Sequence, residues 1–171
     1  MKNLPNQIVL IGMSGVGKSS IGKQVAQKIQ YNFIDTDTYI QTHINQPIQL
    51  YIQQNSETAF LELEEKTILS IPLKTKTLIA TGGSVIYSTN IMSKFKKTTT
   101  IIHIQDSLDN ICKRIPSFQK RGLIKRSHKS LKNLFTEREN LYKQYAELTL
   151  KVNYPFNLEN ETAQLIQLLL Q

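Results

Sequence analysis

At 171 residues, with 40% hydrophobic and 20% charged residues, the chain is long enough for one compact domain and short for two. Its N-terminal apolar run, Ile8 to Ile11, is shorter than a secretion signal or a membrane span requires, which predicts a cytoplasmic protein with no membrane partner. The net charge of +8 is concentrated in residues 113–129, where seven Lys or Arg residues occur with a single aromatic residue, a composition that favours a phosphate-handling segment over a nucleic-acid surface.

Five short apolar runs rich in β-branched residues predict buried strands. They are residues 8–12, 32–35, 77–81, 100–104 and 148–152. Helical spacing of apolar residues predicts helices over 18–30 and 157–170, the second with Asn157 as its N-cap. Strands that alternate with helices favour a parallel sheet covered on both faces, within one domain that spans residues 1–171.

The first strand runs directly into a phosphate-binding motif. Residues 12–19, GMSGVGKS, fit G-x-x-x-x-G-K-[ST] and precede a helix, whose unpaired N–H groups favour an anion. Lys18 would reach the β- and γ-phosphates of a nucleotide, and the Ser19 hydroxyl would hold Mg²⁺. A glycine-rich turn that precedes a helix by chance is the alternative. The predicted nucleotide-binding residues of this loop are Gly12, Ser14, Gly15, Val16, Gly17, Lys18, Ser19 and Ser20.

The sequence lacks the N-K-x-D motif that reads guanine, which leaves ATP as the expected nucleotide. Asp35-Thr36-Asp37 stands at the carboxyl end of the second predicted strand, where ligands bind in open α/β sheets. One carboxylate would hold the Mg²⁺ shell, and the other would accept the proton of an attacking hydroxyl. The alternative is an Asp-rich turn that only caps the next helix.

With these motifs the sequence resembles the shikimate kinase family over nearly the whole chain. Besides the P-loop, the family has a D-[ST]-D motif, a glycine segment after the third strand, a lid arginine and an R-x-x-x-Y segment. The matching residues are 35–37, Gly82-Gly83-Ser84, Arg121-Gly122-Leu123-Ile124, and Arg138 with Tyr142.

The resemblance implies a role for each matching residue on the acceptor side. Asp35 would organise Mg²⁺, and Asp37 would bind and deprotonate the acceptor hydroxyl. Gly82 and Gly83 would let the backbone touch the acceptor, and Arg138 would pair with an acceptor anion.

On the nucleotide side, the resemblance implies that Arg121 stabilises charge on the transferring phosphoryl group, which makes it catalytic together with Lys18 and Asp37. Arg114 and Pro155 match the family positions on the two faces of adenine. The basic segment would then be a lid over about residues 115–127 that closes on the triphosphate.

Two departures from the family pattern fall on the acceptor side. Leu61 stands where the family has an arginine that grips the shikimate carboxylate, and Ser84 replaces the third glycine. Loss of one charge-assisted hydrogen bond predicts at least about tenfold weaker shikimate binding, unless Arg126 or a lysine supplies the missing cation.

The fold implied by the resemblance is a three-layer α/β P-loop domain with a five-stranded parallel sheet in the order 2-3-1-4-5 and an acceptor-binding helical region over about residues 36–70. The implied activity is conversion of shikimate and ATP to 3-phosphoshikimate and ADP, with Mg²⁺, in aromatic amino acid biosynthesis. Two alternatives remain open: a related kinase for another polyol or hydroxy acid, and a non-catalytic ATP-binding module. Retention of Asp37 argues against the module, and we expect a monomer.

Overall fold

One parallel sheet in the order β2-β3-β1-β4-β5 organises the protein, as predicted. The computed structural model describes residues 4–115, 124 and 130–171. All neighbouring strands pair in parallel, with Val9 of the central strand opposite Ile79 on one side and Ile101 on the other. The strands are β1 Gln7–Ile11, β2 Asn32–Asp35, β3 Thr77–Ala80, β4 Thr100–Gln105 and β5 Leu148–Lys151.

Helices connect successive strands and cover the sheet. The described helices are α1 Lys18–Ile29, α2 Thr36–Ile44, α3 Ile48–Gln54, α4 Glu57–Ser70, α5 Thr89–Thr98, α6 Leu108–Arg114, α7 Leu131–Tyr145 and α8 Leu158–Leu169, with a short 3₁₀ turn at Val85–Tyr87. Asn157 caps α8 as expected, since its side chain accepts a hydrogen bond from the Asn160 amide. None of these helices has the length and apolar character needed to cross a membrane.

The main core lies on both faces of the central strand. Residues Ile8 to Ile11 of β1 are fully buried because helices pack on each side of the sheet. Helix α1 contributes Ile21 and Val25 to this core and also packs against α8. The continuous apolar run of β1 therefore reflects burial on two faces, and it brings the loop that follows Ile11 to the carboxyl edge of the sheet.

A second, smaller apolar cluster lies beside the main core. It is built on α2, α3 and α4, which together cover the range predicted as the acceptor-binding region. Buried Ile40, Phe60 and Ile124 form its centre, and half-buried Leu61 packs against them. The local environment of Leu61 is therefore apolar, which explains a leucine at this position.

Candidate active site

The P-loop follows β1 and requires glycine at two positions, in each case because of a positive φ and a close neighbour. Gly12 has φ +145°, and a Cβ there would lie 2.4 Å from the Ile104 carbonyl oxygen on β4. Gly17 has φ +109°, and a Cβ there would lie 3.1 Å from the Phe156 ring. Both the positive φ and the close neighbours exclude side chains, which leaves the loop N–H groups accessible around the N-terminus of α1.

The Lys18 ammonium group lies inside the P-loop. It is 6% exposed and donates hydrogen bonds to the carbonyl oxygens of Gly12, at 2.8 Å, and Met13, at 2.9 Å. Burial lowers the pKa of Lys18 to about 8, while Asp37 and Asp35 oppose this shift. A phosphate placed in the loop would face this ammonium group and would restore its preference for the charged form.

Ser19 and Asp35 lie next to each other at the start of α1 and the end of β2. The Ser19 hydroxyl donates to Asp35 Oδ2 at 2.5 Å, and Asp35 Oδ1 accepts from the Thr38 amide at 3.0 Å. Asp35 therefore caps α2, as the alternative had it, and also contacts Ser19 of the P-loop, so the cap does not exclude a role in the site. A hydroxyl and a carboxylate oxygen side by side suit Mg²⁺, which prefers oxygen ligands.

No cluster of three or more His, Cys, Asp or Glu side chains suited to a metal ion occurs in the described part of the chain. A Mg²⁺ ion at Ser19 and Asp35 would therefore depend on nucleotide phosphates and water for its remaining ligands, as is usual for this ion.

Asp37 is the second residue of α2, two positions after the cap Asp35, and lies between the P-loop and the glycine segment. A Cβ on Gly82 would lie 2.6 Å from Asp37 Oδ1. Desolvation in the crevice raises the pKa of Asp37, Lys18 lowers it, and Asp35 raises it. The Asp37 side chain is exposed to solvent, and water therefore limits this desolvation.

Two cavities meet at this point. One, of about 350 Å³, follows the P-loop and includes Gly15, Lys18 and Ser19 in its lining. The other, of about 60 Å³, lies towards the small apolar cluster. Ser14, Asp37 and Gly83 line both cavities, so they mark the junction between them.

The smaller cavity has one polar and one apolar wall. Gly82, Gly83, Ser84 and Arg138 lie on the polar side, and Ile48, Ile52, Phe60 and Ile124 on the apolar side. This division suits a small molecule that has a hydrocarbon face and several oxygen atoms.

Arg138 is the one cation among the described residues that line this cavity, and it is only 1% exposed. Its Nη1 lies 3.0 Å from the position of a Cβ on Gly83, its Nη2 donates to the Ile124 carbonyl at 2.7 Å, and its Nε donates to the Tyr87 hydroxyl at 3.3 Å. Tyr142 is fully buried, and its hydroxyl donates to the Gly83 carbonyl at 2.7 Å. Tyr142 thus also holds the glycine segment in place.

Sequence reasoning missed Glu64. This residue is 2% exposed, and both of its carboxylate oxygens lie 2.9 Å from the Ser84 hydroxyl. The available signal was its position in the helical stripe of Phe60, Glu64 and Ile68, where an acid interrupts two buried apolar residues. An acid in a buried stripe is an uncommon arrangement that marks a site for closer inspection.

The predicted adenine residues lie beside the P-loop. Arg114, at the end of α6, places its guanidinium 5.0 Å from the centre of the Phe156 ring and binds Asp106 at 2.5 Å. Pro155, preceded by a cis peptide bond, is exposed. Phe156, which sequence reasoning passed over, links this region to the P-loop because its ring faces Gly17.

Part of the predicted site lies outside the described residues. Arg121 and Arg126 fall there with most of the predicted lid, of which only Ile115 and Ile124 are described. Ile115 lines the P-loop cavity, and Ile124 lines the smaller one.

A larger open groove of about 920 Å³ lies between α1, β2 and α2. It shares Ser19 and Asp35 with the site, and its further lining includes Phe33, Tyr39 and His43. Because the P-loop glycines, Lys18 and Arg138 face the two smaller cavities, we place the chemistry there.

Comparison with known proteins identifies relatives. A family model described as shikimate kinase matches residues 14–168. The shikimate kinase of Sulfurihydrogenibium sp. (strain YO3AOP1) is 34% identical over 143 residues, which cover 84% of this chain and 84% of that protein. The shikimate kinase of Rippkaea orientalis is 33% identical over 162 residues, or 94% of this chain and 86% of that protein.

Among solved structures, the shikimate kinase from Acinetobacter baumannii in complex with shikimate superposes with a TM-score of 0.86 over 97% of this chain and 93% of that one. The sequence identity is 20%, so this likeness supports the fold.

Proposed function

This chain belongs to the shikimate kinase family, and we propose that it transfers the γ-phosphoryl group of ATP to a hydroxyl of shikimate. The products are 3-phosphoshikimate and ADP, and the reaction is a phosphotransfer to an alcohol in aromatic amino acid biosynthesis. The relatives favour shikimate over the alternatives of another polyol substrate or a non-catalytic ATP-binding module.

The meeting of the two cavities is the observation that carries this proposal. A nucleotide in the P-loop cavity and an acceptor in the smaller cavity would approach each other at Asp37, Ser14 and Gly83. Phosphoryl transfer depends mainly on positioning the two reactants and on neutralising charge. A junction lined by a carboxylate, with Lys18 beside it, supplies both requirements.

In this proposal Lys18 binds the β- and γ-phosphates, and Asp37 accepts the proton of the attacking hydroxyl. The backbone of Gly82 and Gly83 borders the acceptor, and the buried guanidinium of Arg138 pairs with the acceptor carboxylate. Arg121 is proposed, by resemblance to the family, to stabilise charge on the transferring group.

The remaining P-loop residues, Gly12 to Gly17 with Ser19 and Ser20, would bind the nucleotide phosphates, and Arg114 and Pro155 would border adenine. We also propose that Ser19 and Asp35 hold Mg²⁺, which would neutralise phosphate charge. Their oxygen atoms, 2.5 Å apart, support this assignment.

We further propose a monomer that acts in the cytoplasm. The exposed large apolar residues of the described chain belong to different elements or loops, which is the ordinary pattern of a monomer surface. They are Tyr39, Leu50, Leu69, Tyr154 and Leu170.

A coupled ADP-release assay with Mg·ATP tests the function. Shikimate should stimulate ADP release, and mass spectrometry should show a product heavier by one phosphate. Parallel reactions with other hydroxy acids and polyols, and with no acceptor, serve as controls. Stimulation by another alcohol and none by shikimate would contradict the proposal.

A further inference from the structure

Glu64 lies directly behind the polar wall of the acceptor cavity, against Gly82 and Ser84. Glu64 Oε1 lies 2.9 Å from the position of a Cβ on Gly82, and Asp37 Oδ1 lies 2.6 Å from the same point. Gly82 and Ser84 line the cavity itself. The Glu64 carboxyl group is therefore separated from an acceptor by a residue without a side chain, and it is a close neighbour of Asp37.

Glu64 forms no ion pair among the described residues. Among the described residues, the hydrogen bonds to its carboxylate come from one hydroxyl, that of Ser84. The charged groups that face it are Asp37 on α2 and Arg138 on α7. A carboxylate that is 2% exposed, next to a second carboxylate and held by one neutral donor, is a costly place for a negative charge.

We propose that Glu64 and Ser84 determine the charge specificity of the acceptor site, with Glu64 holding a proton and Ser84 fixing its carboxyl group behind Gly82. This inference rests on the proposed function. An uncharged Glu64 leaves Asp37 as the one negative charge that lines the cavity with Arg138 among the described residues, so the guanidinium can still attract an anionic acceptor. An ionised Glu64 would repel the same anion.

The two departures from the family pattern, Leu61 and Ser84, are both neighbours of Glu64. Leu61 precedes Glu64 by one turn of α4, and both residues line a cavity of about 180 Å³ together with Tyr87 and Ser88. A long cation at position 61 could enter this cavity and stabilise an ionised Glu64. With leucine there, a proton on Glu64 and a hydroxyl at position 84 take the place of that cation.

The electrostatics agree with the geometry. Burial raises the pKa of Glu64 to about 8, Ser84 lowers it, Asp37 raises it and Arg138 lowers it. The carboxyl is therefore mainly protonated at neutral pH and ionises in mild alkali. Acceptor binding should then weaken up to about tenfold for each pH unit above the pKa, because only the protonated form admits the anion.

Lys18 titrates in the same range, since its pKa is also about 8, but it faces the nucleotide cavity. Its deprotonation should raise the KM for ATP, whereas ionisation of Glu64 should raise the KM for shikimate.

Glu62 and Glu65 lie on the same helix as Glu64, and Tyr87 lies on the facing 3₁₀ turn. Glu62 is exposed, so Glu62→Gln is the matched control for a lost acid on α4.

Steady-state kinetics between about pH 6.5 and 9 test the proposed roles of Glu64 and Ser84. The KM for shikimate should rise about tenfold towards pH 9 in the unmodified protein and in Glu62→Gln, and it should stay flat in Glu64→Gln. Ser84→Ala should move the rise to higher pH, because Ser84 stabilises the ionised form. Leu61→Arg should abolish the rise in the KM for shikimate, because its cation would stabilise an ionised Glu64. Leu61→Gln introduces a polar side chain without a charge and should retain the rise.

Carbon NMR of the Glu64 side-chain carboxyl, assigned by its loss in Glu64→Gln, provides a readout independent of turnover. Titration near pH 8 supports the inference, and titration near the ordinary value of 4.5 overturns it. A KM for shikimate that rises equally in Glu64→Gln also overturns it. Absence of shikimate phosphorylation would refute the proposed function instead, while the NMR titration would still decide the state of Glu64.

Discussion

The Ser19 hydroxyl lies 2.5 Å from Asp35 Oδ2 and so joins the first turn of α1 to the end of β2. The two residues are sixteen positions apart, and each belongs to a different strand-to-helix connection. Parallel pairing brings both connections to the same edge of the sheet, where the oxygen atoms form a site suited to Mg²⁺.

Asp35→Asn tests the metal role separately from the capping role. Asparagine is a good N-cap, so it should keep the hydrogen bond to the Thr38 amide while it removes the charge. We expect the Mg²⁺ concentration for half-maximal rate to rise about tenfold, with the melting temperature nearly unchanged. Asp35→Ala should lower both stability and Mg²⁺ affinity. An unchanged Mg²⁺ requirement in Asp35→Asn would rule out this role.

Lys18→Ala should reduce turnover by roughly a hundredfold or more, because it removes the buried ammonium group that we propose binds the transferring phosphates. Lys18→Arg should not rescue activity, since a planar guanidinium cannot replace a compact charge inside the loop. The rate of ADP release and the Kd for ATP measure the effect. Lys23→Ala, an exposed lysine on the same helix, is the control, and an equal loss there would point to a general charge effect.

Asp37→Asn should spare ATP binding and remove most phosphoryl transfer, because the amide cannot accept the proton of the acceptor hydroxyl. The Kd for ATP and the turnover number with shikimate separate these two steps. Asp109→Asn, an exposed acid in the first turn of α6, controls for the change in net charge. Near-normal turnover in Asp37→Asn would show that another group is the base.

The strands and the P-loop could be predicted from sequence because their signals are local. Short apolar runs marked the strands, and the glycine spacing at residues 12–17 directly preceded the α1 pattern. The sheet order was expected through resemblance to the family, and it is confirmed.

The contacts between distant segments could not be predicted. Ser84 and Glu64 are twenty positions apart, and their side chains meet only because α4 packs beside the glycine segment. The Phe156 ring reaches Gly17 because α8 and α1 are neighbours. Such pairs depend on how helices pack on the sheet, and a single sequence carries little trace of that packing.

Glu64 should also make stability depend on pH. Its pKa in the folded protein, about 8, lies above the ordinary 4.5, so the folded state binds more protons between these values. The contribution is complete below the ordinary pKa and is lost as pH rises through about 8. The unmodified protein should therefore lose on the order of a few kcal/mol of unfolding free energy between about pH 5 and 8.

Urea unfolding at several pH values measures this loss, which Glu64→Gln should largely remove. Lys18 has the opposite sign, because its folded pKa lies below its ordinary 10.5, and its contribution changes above about pH 8. Glu64 therefore changes the unfolding free energy between pH 4.5 and about 8, and Lys18 changes it between about 8 and 10.5. Equal pH dependence in the unmodified protein and Glu64→Gln would show that other groups account for the loss.

Arg114 and Phe156 should recognise the base of the nucleotide. The guanidinium lies 5.0 Å from the ring centre, and that ring also faces Gly17, so the pair offers flat surfaces beside the phosphate cavity. Arg114→Ala and Phe156→Leu should each raise the Kd for ATP by roughly three- to thirtyfold, as expected for loss of a stacking or cation–π contact.

Calorimetric titration with ATP and with tripolyphosphate separates base recognition from phosphate binding. Arg114→Ala should weaken ATP binding and leave tripolyphosphate binding nearly unchanged, because we propose that the arginine contacts the base and not the phosphates. Lys113→Ala removes the neighbouring cation, which lies 5.5 Å from the Tyr154 ring, and serves as the control. If Arg114→Ala weakened both ligands equally, the arginine would act on the phosphates, and the ring of Phe156 would serve to support the P-loop.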